Sequence, residues 1–439
     1  MGGKNIKRFE KTKEYMESEK IHEMAKGDKK NVFTRTRKLP FKDLIYQILI
    51  QKGLTMLMEI RFFANINRIE SISKQAYFKA RLVLQPIVFV SLNDNYLSMF
   101  YESESEVELW NEYLVLAIDG SKVEIPNSKE NREVYGTQGN GKCDGPARAS
   151  ISGFFDVKNG FYLDLQIADV KTSEKQLAIE NLKAIKRIGI KQKVLVIFDR
   201  GYPSIELLNY LEEEGIDYII RLPSSFYKQE RKTAESDDSF IKIMHTQSRL
   251  DRIQKSNREL YEKIKDKECI NTRLITGKTP SDKDFAVFTS LPENITSKEI
   301  VEAYFKRWKI EEAYNTLKNK MKFESVSGMS SIYVKQDFLA QIFVYNMMED
   351  VRHSAEEQIK KNEKKYKYPR RINQNMAIGI FKEKLIWLLL EDDNKIREKM
   401  FEKLQAEIAK YTLPIRKSKS RSRKFNTTNK YACNQKPSF

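Results

Sequence analysis

Along the chain the spacing of apolar residues changes twice. From about Phe41, "FKDLIYQILIQKGLTMLMEIRFFANI" places apolar residues three and four positions apart, the period of amphipathic helix. "SISKQAYFKARLVL" repeats that spacing behind Ser71 or Ser73, each a candidate N-cap. From Leu114 the pattern differs. "YLVLAID" and "KVLVIFD" are short unbroken apolar runs that each end in a carboxylate, and both predict buried strands. "ARASISGFFDV" and "FYLDLQIADV" flank "KNG" and predict a hairpin around an Asn-Gly turn. A helix over 173–188, a second starting near Pro203 and a strand at "DYIIRLP" complete the order strand, strand, strand, helix, strand, helix, strand. That order predicts an α/β domain with a mixed sheet. Beyond it lies a polar stretch holding strand-like "TRLITG" and "FAVFTSL". The helical period then returns over 297–321, again from Ile332, and in "FKEKLIWLLL".

These shifts organise 439 residues, too many for one core, into successive regions. They are an N-terminal helical domain (1–105), a first part of the α/β core (106–222) and a β-rich insertion (223–291). A second part of the core (292–350) and a C-terminal helical region with a basic tail (351–439) follow. There is no internal repeat. The two N-terminal helices, joined by "NRIES", suit a DNA-reading helix-turn-helix and a plain helical bundle equally. A hydrophobic content of 40% argues against global disorder. No apolar run reaches the ~18 residues of a membrane span. Cys143, Cys269 and Cys433 are odd in number and far apart, which excludes a disulfide framework or a CxxC zinc site. The charged N-terminus lacks a secretory apolar segment, so a cytoplasmic, nucleoid-associated location is expected. Lys and Arg outnumber Asp and Glu by 79 to 61, a formal +18, and nucleic acid is the commonest partner for such an excess.

The chemistry sits in three carboxylates. Asp119 follows "LVLAI" and Asp199 follows "VLVIF". An acid at the end of a buried strand is costly unless a cation meets it, and ligand sites of open α/β sheets lie at strand carboxyl ends. One such Asp alone reads as a turn cap; two on similar strands read as a hard oxygen site for Mg²⁺ or Mn²⁺. The third acid lies in "AYFKRWKIEEAYNTLKNKM". Tyr304, Arg307, Glu311 and Lys318 fall within about 60° of one helix face at ~100° per residue. An apolar stripe of Ala303, Ile310, Leu317 and Met321 runs beside them. Glu311 can complete the metal site, and Arg307 and Lys318 can grip phosphates, although such a face also suits an ordinary solvated Arg–Glu pair. Glu312 points about 100° away. His22, His245 and His353 stand apart from these motifs, which disfavours a histidine mechanism.

Tyr304, Arg307, Glu311 and Lys318 match Y-x2-R-x3-E-x6-K without gaps, and the chain resembles insertion-sequence transposases of family four, a branch of the DDE class. "IDG" at the first Asp, "DRGYPS" at the second, "FTSLPENIT" before the signature and "KQDFLAQIFVYN" after it carry the same resemblance. It implies an RNase H-like mixed sheet flanked by helices and interrupted by the β-rich insertion. The 112 positions from Asp199 to Glu311 (311 − 199) leave room for that insertion. It implies Asp119, Asp199 and Glu311 as ligands of two Mg²⁺ or Mn²⁺ ions, and Tyr304, Arg307 and Lys318 as DNA contacts. Arg200 is a further DNA contact or a brace of the site. Trp308 is a candidate to stack on an unpaired base, with a core position the preferred alternative. The implied activity is cleavage at element ends and joining of the 3′-OH ends to target DNA. Expected partners are double-stranded DNA, as terminal inverted repeats and target, and a second copy of the chain. Two alternatives are an RNase H-like nuclease without strand transfer and an inactive domesticated DNA-binding protein.

Overall fold

A computed structural model of the chain describes residues 3–29, 31–34, 38–139, 145–278, 284–360 and 366–416. Cys143, Cys433 and the basic tail from 417 lie outside the described residues. The chain divides into two compact units. One holds Tyr101–Lys122 and Ser150–Ala313; the other holds the described residues of Met1–Phe100, Val123–Ala149 and Tyr314–Phe439.

The first unit is built on one eight-stranded sheet. Its strands are β1 (Tyr113–Glu124), β2 (Arg148–Asp156), β3 (Tyr162–Asp169), β4 (Lys193–Phe198), β5 (Asp217–Arg221), β6 (Asp238–Met244), β7 (Cys269–Lys278) and β8 (Asp284–Thr289). Their order is β3-β2-β1-β4-β5-β8-β7-β6. β1 and β4 pair in parallel from Tyr113↔Lys193 to Ala117↔Ile197, and β4 pairs in parallel with β5. The apolar runs are unbroken because residues 114–118 and 195–198 are fully buried, as parallel strands covered on both faces require. The Asn159-Gly160 turn closes β2 on β3. Gly160 adopts φ +75°, which a side chain would strain. Asp156 fixes this turn: its carboxylate accepts from the Lys158 and Asn159 N–H groups, from Nδ2 of Asn159 and from the Tyr101 hydroxyl.

The 223–291 segment, expected as a β-rich insertion, supplies strands β6, β7 and β8. Its strands extend the same sheet, with β8 antiparallel to β5, β7 to β8 and β6 to β7. Helices Gln247–Ser256 and Arg258–Ile264 interrupt it. Both are strongly charged and bury few residues, so little apolar content marks them in the sequence.

The second unit is helical apart from a small pairing of Arg370–Ile372 with Thr412–Pro414. The run from Phe41 is two helices, Phe41–Leu49 and Met56–Asn67, parted near Gly53 at φ +82°. Ser73 caps helix Lys74–Arg81 by accepting from the Ala76 N–H. Helix Ser331–Lys360 carries two buried anchors. Asp350 receives the Arg8 guanidinium at 2.6 and 2.9 Å, and Asp337 receives Arg81 at 2.6 Å. Among the described residues no helix is long and apolar enough to cross a membrane.

Candidate active site

Asp199 directly follows β4, and Asp119 lies two residues past the last parallel pair of β1 with β4. The acids thus stand at the carboxyl ends of adjacent parallel strands. β1 itself does not stop at Asp119, as its apolar run suggested, but continues to Glu124 with only Val123 buried beyond the acid. The expected single helix over 297–321 is also divided. Helix Ser297–Phe305 starts with a capping box between Thr296 and Glu299 and ends at Lys306. Helix Trp308–Asn315 follows and passes into a π-helical turn, Thr316–Lys320. At the break, the N–H groups of Lys306, Arg307, Lys309 and Ile310 each bond three residues back, a tight 3₁₀-like turn. Ala303, Ile310, Leu317 and Met321 are all buried, and so are Tyr304 and Arg307, which the helical wheel set on a polar face.

Burial turns Arg307 towards the acids. Its Nη2 donates to Oε1 of Glu311 at 2.8 Å and stands 3.9 Å from Oδ2 of Asp199; its Nη1 lies 3.4 Å from Oδ2 of Asp119. One guanidinium therefore gathers three carboxylates that are far apart in sequence. The Tyr304 hydroxyl donates to Oδ1 of Asp199 at 2.9 Å, and the Gly120 N–H donates to Oδ1 of Asp119 at 3.0 Å. Arg221 stands over the rings of Phe285 and Tyr304, bracing the tyrosine from β5 and β8.

The electrostatics follow. Burial pushes Asp119 up to about 6; Arg307 and the Gly120 N–H oppose the shift, while Glu311 and Asp199 add to it. Burial pulls the Arg307 guanidinium down, but Asp199, Tyr304, Asp119 and Glu311 outweigh it and hold Arg307 above its ordinary value. The Tyr304 phenol is raised, first by burial and then by Asp199.

Among the described residues, no three Asp, Glu, His or Cys side chains are placed to hold one metal ion as they stand. The donor set nevertheless fits a hard divalent cation. It is made of carboxylate oxygens, and the position they share is held by a positive charge, that of Arg307. A fourth carboxylate stands beside them. A Cβ on Gly120 would lie 3.0 Å from Oε1 of Glu174, and one on Gly201 3.3 Å from Oε2. Glu174 lies in no motif of its own; its signal in the sequence is a pair of glycines, one position after Asp119 and two after Asp199, that leave room for another side chain.

The remaining predicted residues are placed as follows. Arg200 adjoins Asp199 and lines an open recess with Ser224, Arg231, Thr276 and Lys278. Trp308 is 57% exposed and so is not the core residue preferred above. Lys318 is half-buried in the helical unit; burial lowers its ammonium, Glu324 opposes and Arg148 adds to the shift.

No curated protein sequence matches the chain. Similar solved structures include a piggyBac transposase synaptic complex with hairpin DNA, at 9% identity and a TM-score of 0.45, covering 90% of this chain and 85% of that one. The model of the transposase DDE domain matches residues 110–347. That span is 238 of 439 positions (347 − 110 + 1) and includes Asp119, Asp199 and Glu311, so the chain belongs to the transposase DDE domain family.

Proposed function

We propose that the protein is an insertion-sequence transposase of family four that cleaves DNA at element ends and joins the freed 3′-OH to target DNA. The observation that carries this reading is the gathering of Asp119, Asp199 and Glu311 on one guanidinium. Asp119, Asp199 and Glu311 fix no turn of their own, whereas Asp156, a fully buried carboxylate, spends its oxygens fixing one. Two Mg²⁺ or Mn²⁺ ions held by these acids would supply Lewis acidity to a phosphodiester and make water a better nucleophile.

The chain's own residues do the rest. Tyr304 holds Asp199 in one rotamer through its hydroxyl. Arg307 offsets part of the acids' negative charge in the metal-free protein; when cations take that role, its fork is free to take a phosphate in two parallel hydrogen bonds. Lys318, Arg200 and the exposed Trp308 are the further DNA contacts of this reading. In the cleavage step a water oxygen bonds to phosphorus, the P–O3′ bond breaks and the 3′ oxygen leaves as a hydroxyl. In joining, that hydroxyl attacks a target phosphodiester and displaces another 3′ oxygen, so no covalent protein–DNA bond forms. Two element ends need two such sites, which calls for a dimer on DNA at the nucleoid. The N-terminal helices, with their capped Lys74–Arg81 segment, are the proposed reader of the terminal repeats.

The test uses the full-length Asp119→Asn variant with element-end DNA and Mg²⁺. It is expected to bind that DNA and not cut it; undiminished cutting rejects the assignment. A strand-joining assay on the wild type separates a transposase from a nuclease.

A further inference from the structure

Within the helical unit, two lysines from distant parts of the sequence line one recess, and a third, Lys52, stands in the chain between two of its lining residues, Gln51 and Gly53. Lys52 lies in the loop between helices Phe41–Leu49 and Met56–Asn67, Lys322 follows the π-helical turn, and Lys382 is on helix Gln374–Leu390. Lys322 and Lys382 line a recess of about 20 Å³ together with Gln51, Gly53, Ser325 and Gln341. That volume admits one oxygen-sized group and no more.

The recess is built rather than incidental. Lys322 holds the left-handed conformation, φ +55°, which a β-carbon disfavours. Gly53, at φ +82°, lets the loop pass so close that a Cβ there would touch Cδ of Lys322 at 3.5 Å. Among the described residues the side-chain oxygen of Gln341 is buried without a hydrogen-bond partner, and a half-turn of that amide presents its NH₂ to an acceptor instead.

The charges do not balance. None of the three ammonium groups makes an ion pair among the described residues; Lys52 rests over the Phe62 ring at 4.0 Å. Of the neighbouring carboxylates, Glu59 already accepts the N–H groups of Lys52 and Leu54 through Oε1 at 2.8 and 2.9 Å, and Glu383 is paired with Lys384 at 2.9 Å. Asp337 also lines the recess but is held by Arg81 and by the Ser327 N–H and hydroxyl. Burial pushes the Lys382 ammonium down to about 8; Glu59 opposes this, and Lys322 and Lys52 add to it. Burial lowers Lys52 as well, against Glu59 and Glu383.

We propose that Lys52, Lys322 and Lys382 form an oxyanion site in the helical unit that takes one non-bridging oxygen of a nucleic-acid phosphodiester. An anion there neutralises the unbalanced ammonium groups, and the recess accepts a single oxygen while the rest of the diester stays outside. The contact is to backbone, so it positions DNA without reading sequence. This proposal rests on the DNA reading above but not on catalysis, because it involves none of the three acids.

The experiment measures DNA affinity of the full chain by fluorescence anisotropy at several salt concentrations, with element-end and unrelated duplexes. Lys382→Gln and Lys322→Gln should each flatten the slope of log K against log salt by about 1, equally on both duplexes. Between 50 and 200 mM salt that amounts to roughly a three- to four-fold smaller loss of affinity. Lys382→Arg should keep the slope. If Lys382→Gln does not fold, Lys322→Gln, at a turn, carries the test. Unchanged slopes in folded variants overturn the proposal. So does a second pattern, in which inorganic phosphate raises the melting temperature of the wild type but not of the variants while the DNA slopes stay equal; the site would then serve a free ion. A wild type that binds no DNA overturns the DNA reading and this site with it, whereas a wild type that binds and cuts DNA beside variants of unchanged slope overturns this site alone.

Discussion

Replacing Asp119 by Asn should make the metal-free protein more stable at neutral pH while abolishing cleavage. Burial drives the Asp119 carboxyl from its ordinary 3.8 up to about 6. The folded state therefore holds this proton more tightly than the unfolded chain does. Its contribution to stability is fully present below about pH 4, is lost as pH rises through about 6, and leaves a constant deficit above that. The gap of about 2 pH units corresponds to about 3 kcal/mol, at ~1.36 kcal/mol per unit. The side chain keeps 23% of its exposure, so solvent reduces the effect, and about 1–3 kcal/mol is the range expected. Asn has the same shape and cannot ionise, so it avoids the deficit. The assay is urea unfolding of both proteins in EDTA from pH 3.5 to 8. The Asn variant should be more stable at pH 8 by about 1–3 kcal/mol in the urea extrapolation, and the two curves should converge near pH 4. Added Mg²⁺ should stabilise the wild type and narrow the gap at pH 8. A variant no more stable than wild type at pH 8, or a gap that persists on acidification, refutes the reasoning.

Other substitutions probe the same framework. Arg307→Gln leaves three acids without their shared cation and should cost about 1–3 kcal/mol in EDTA, less than a fully buried pair because Asp199 and Glu311 are partly solvated; melting with Mg²⁺ should recover more stability than it adds to wild type. Tyr304→Phe loses the 2.9 Å bond to Asp199, about 1 kcal/mol, and should slow cleavage in single-turnover assays while DNA affinity is kept. Arg81→Ala strands Asp337 in the helical unit and should cost about 3–5 kcal/mol in urea unfolding.

The elements that were legible in the sequence share one property: a single local pattern decides them. Residues 114–118 and 194–198 are uniformly apolar because both sheet faces are covered, and each run stops at its acid. The hairpin was legible from Asn159-Gly160, and the Lys74–Arg81 helix from its Ser73 cap. Glu311 was reachable because its spacing to Arg307 survives the helix break. The break itself carries no Gly or Pro; tertiary packing that draws Arg307 inward decides it, and no local signal records that. Trp308 shows the same limit, since the turn at 306–307 rotates it out to solvent. Continuation of the sheet into β8-β7-β6 depends on long-range pairing of β5 with β8. Glu174 and the lysine recess are also products of tertiary placement, built from residues that are unremarkable in their own segments.

The claim beneath all of this is that Asp119, Asp199 and Glu311 share cations. Iron-mediated cleavage of the protein backbone tests it most directly: Fe²⁺ replaces Mg²⁺, peroxide and ascorbate are added, and the fragments are mapped. The account predicts cuts clustered near 119, 199 and 311 together, suppressed by excess Mg²⁺ and lost in Asp119→Asn. Cuts at one of these positions without the other two, or a pattern that Asp119→Asn leaves intact, would contradict it.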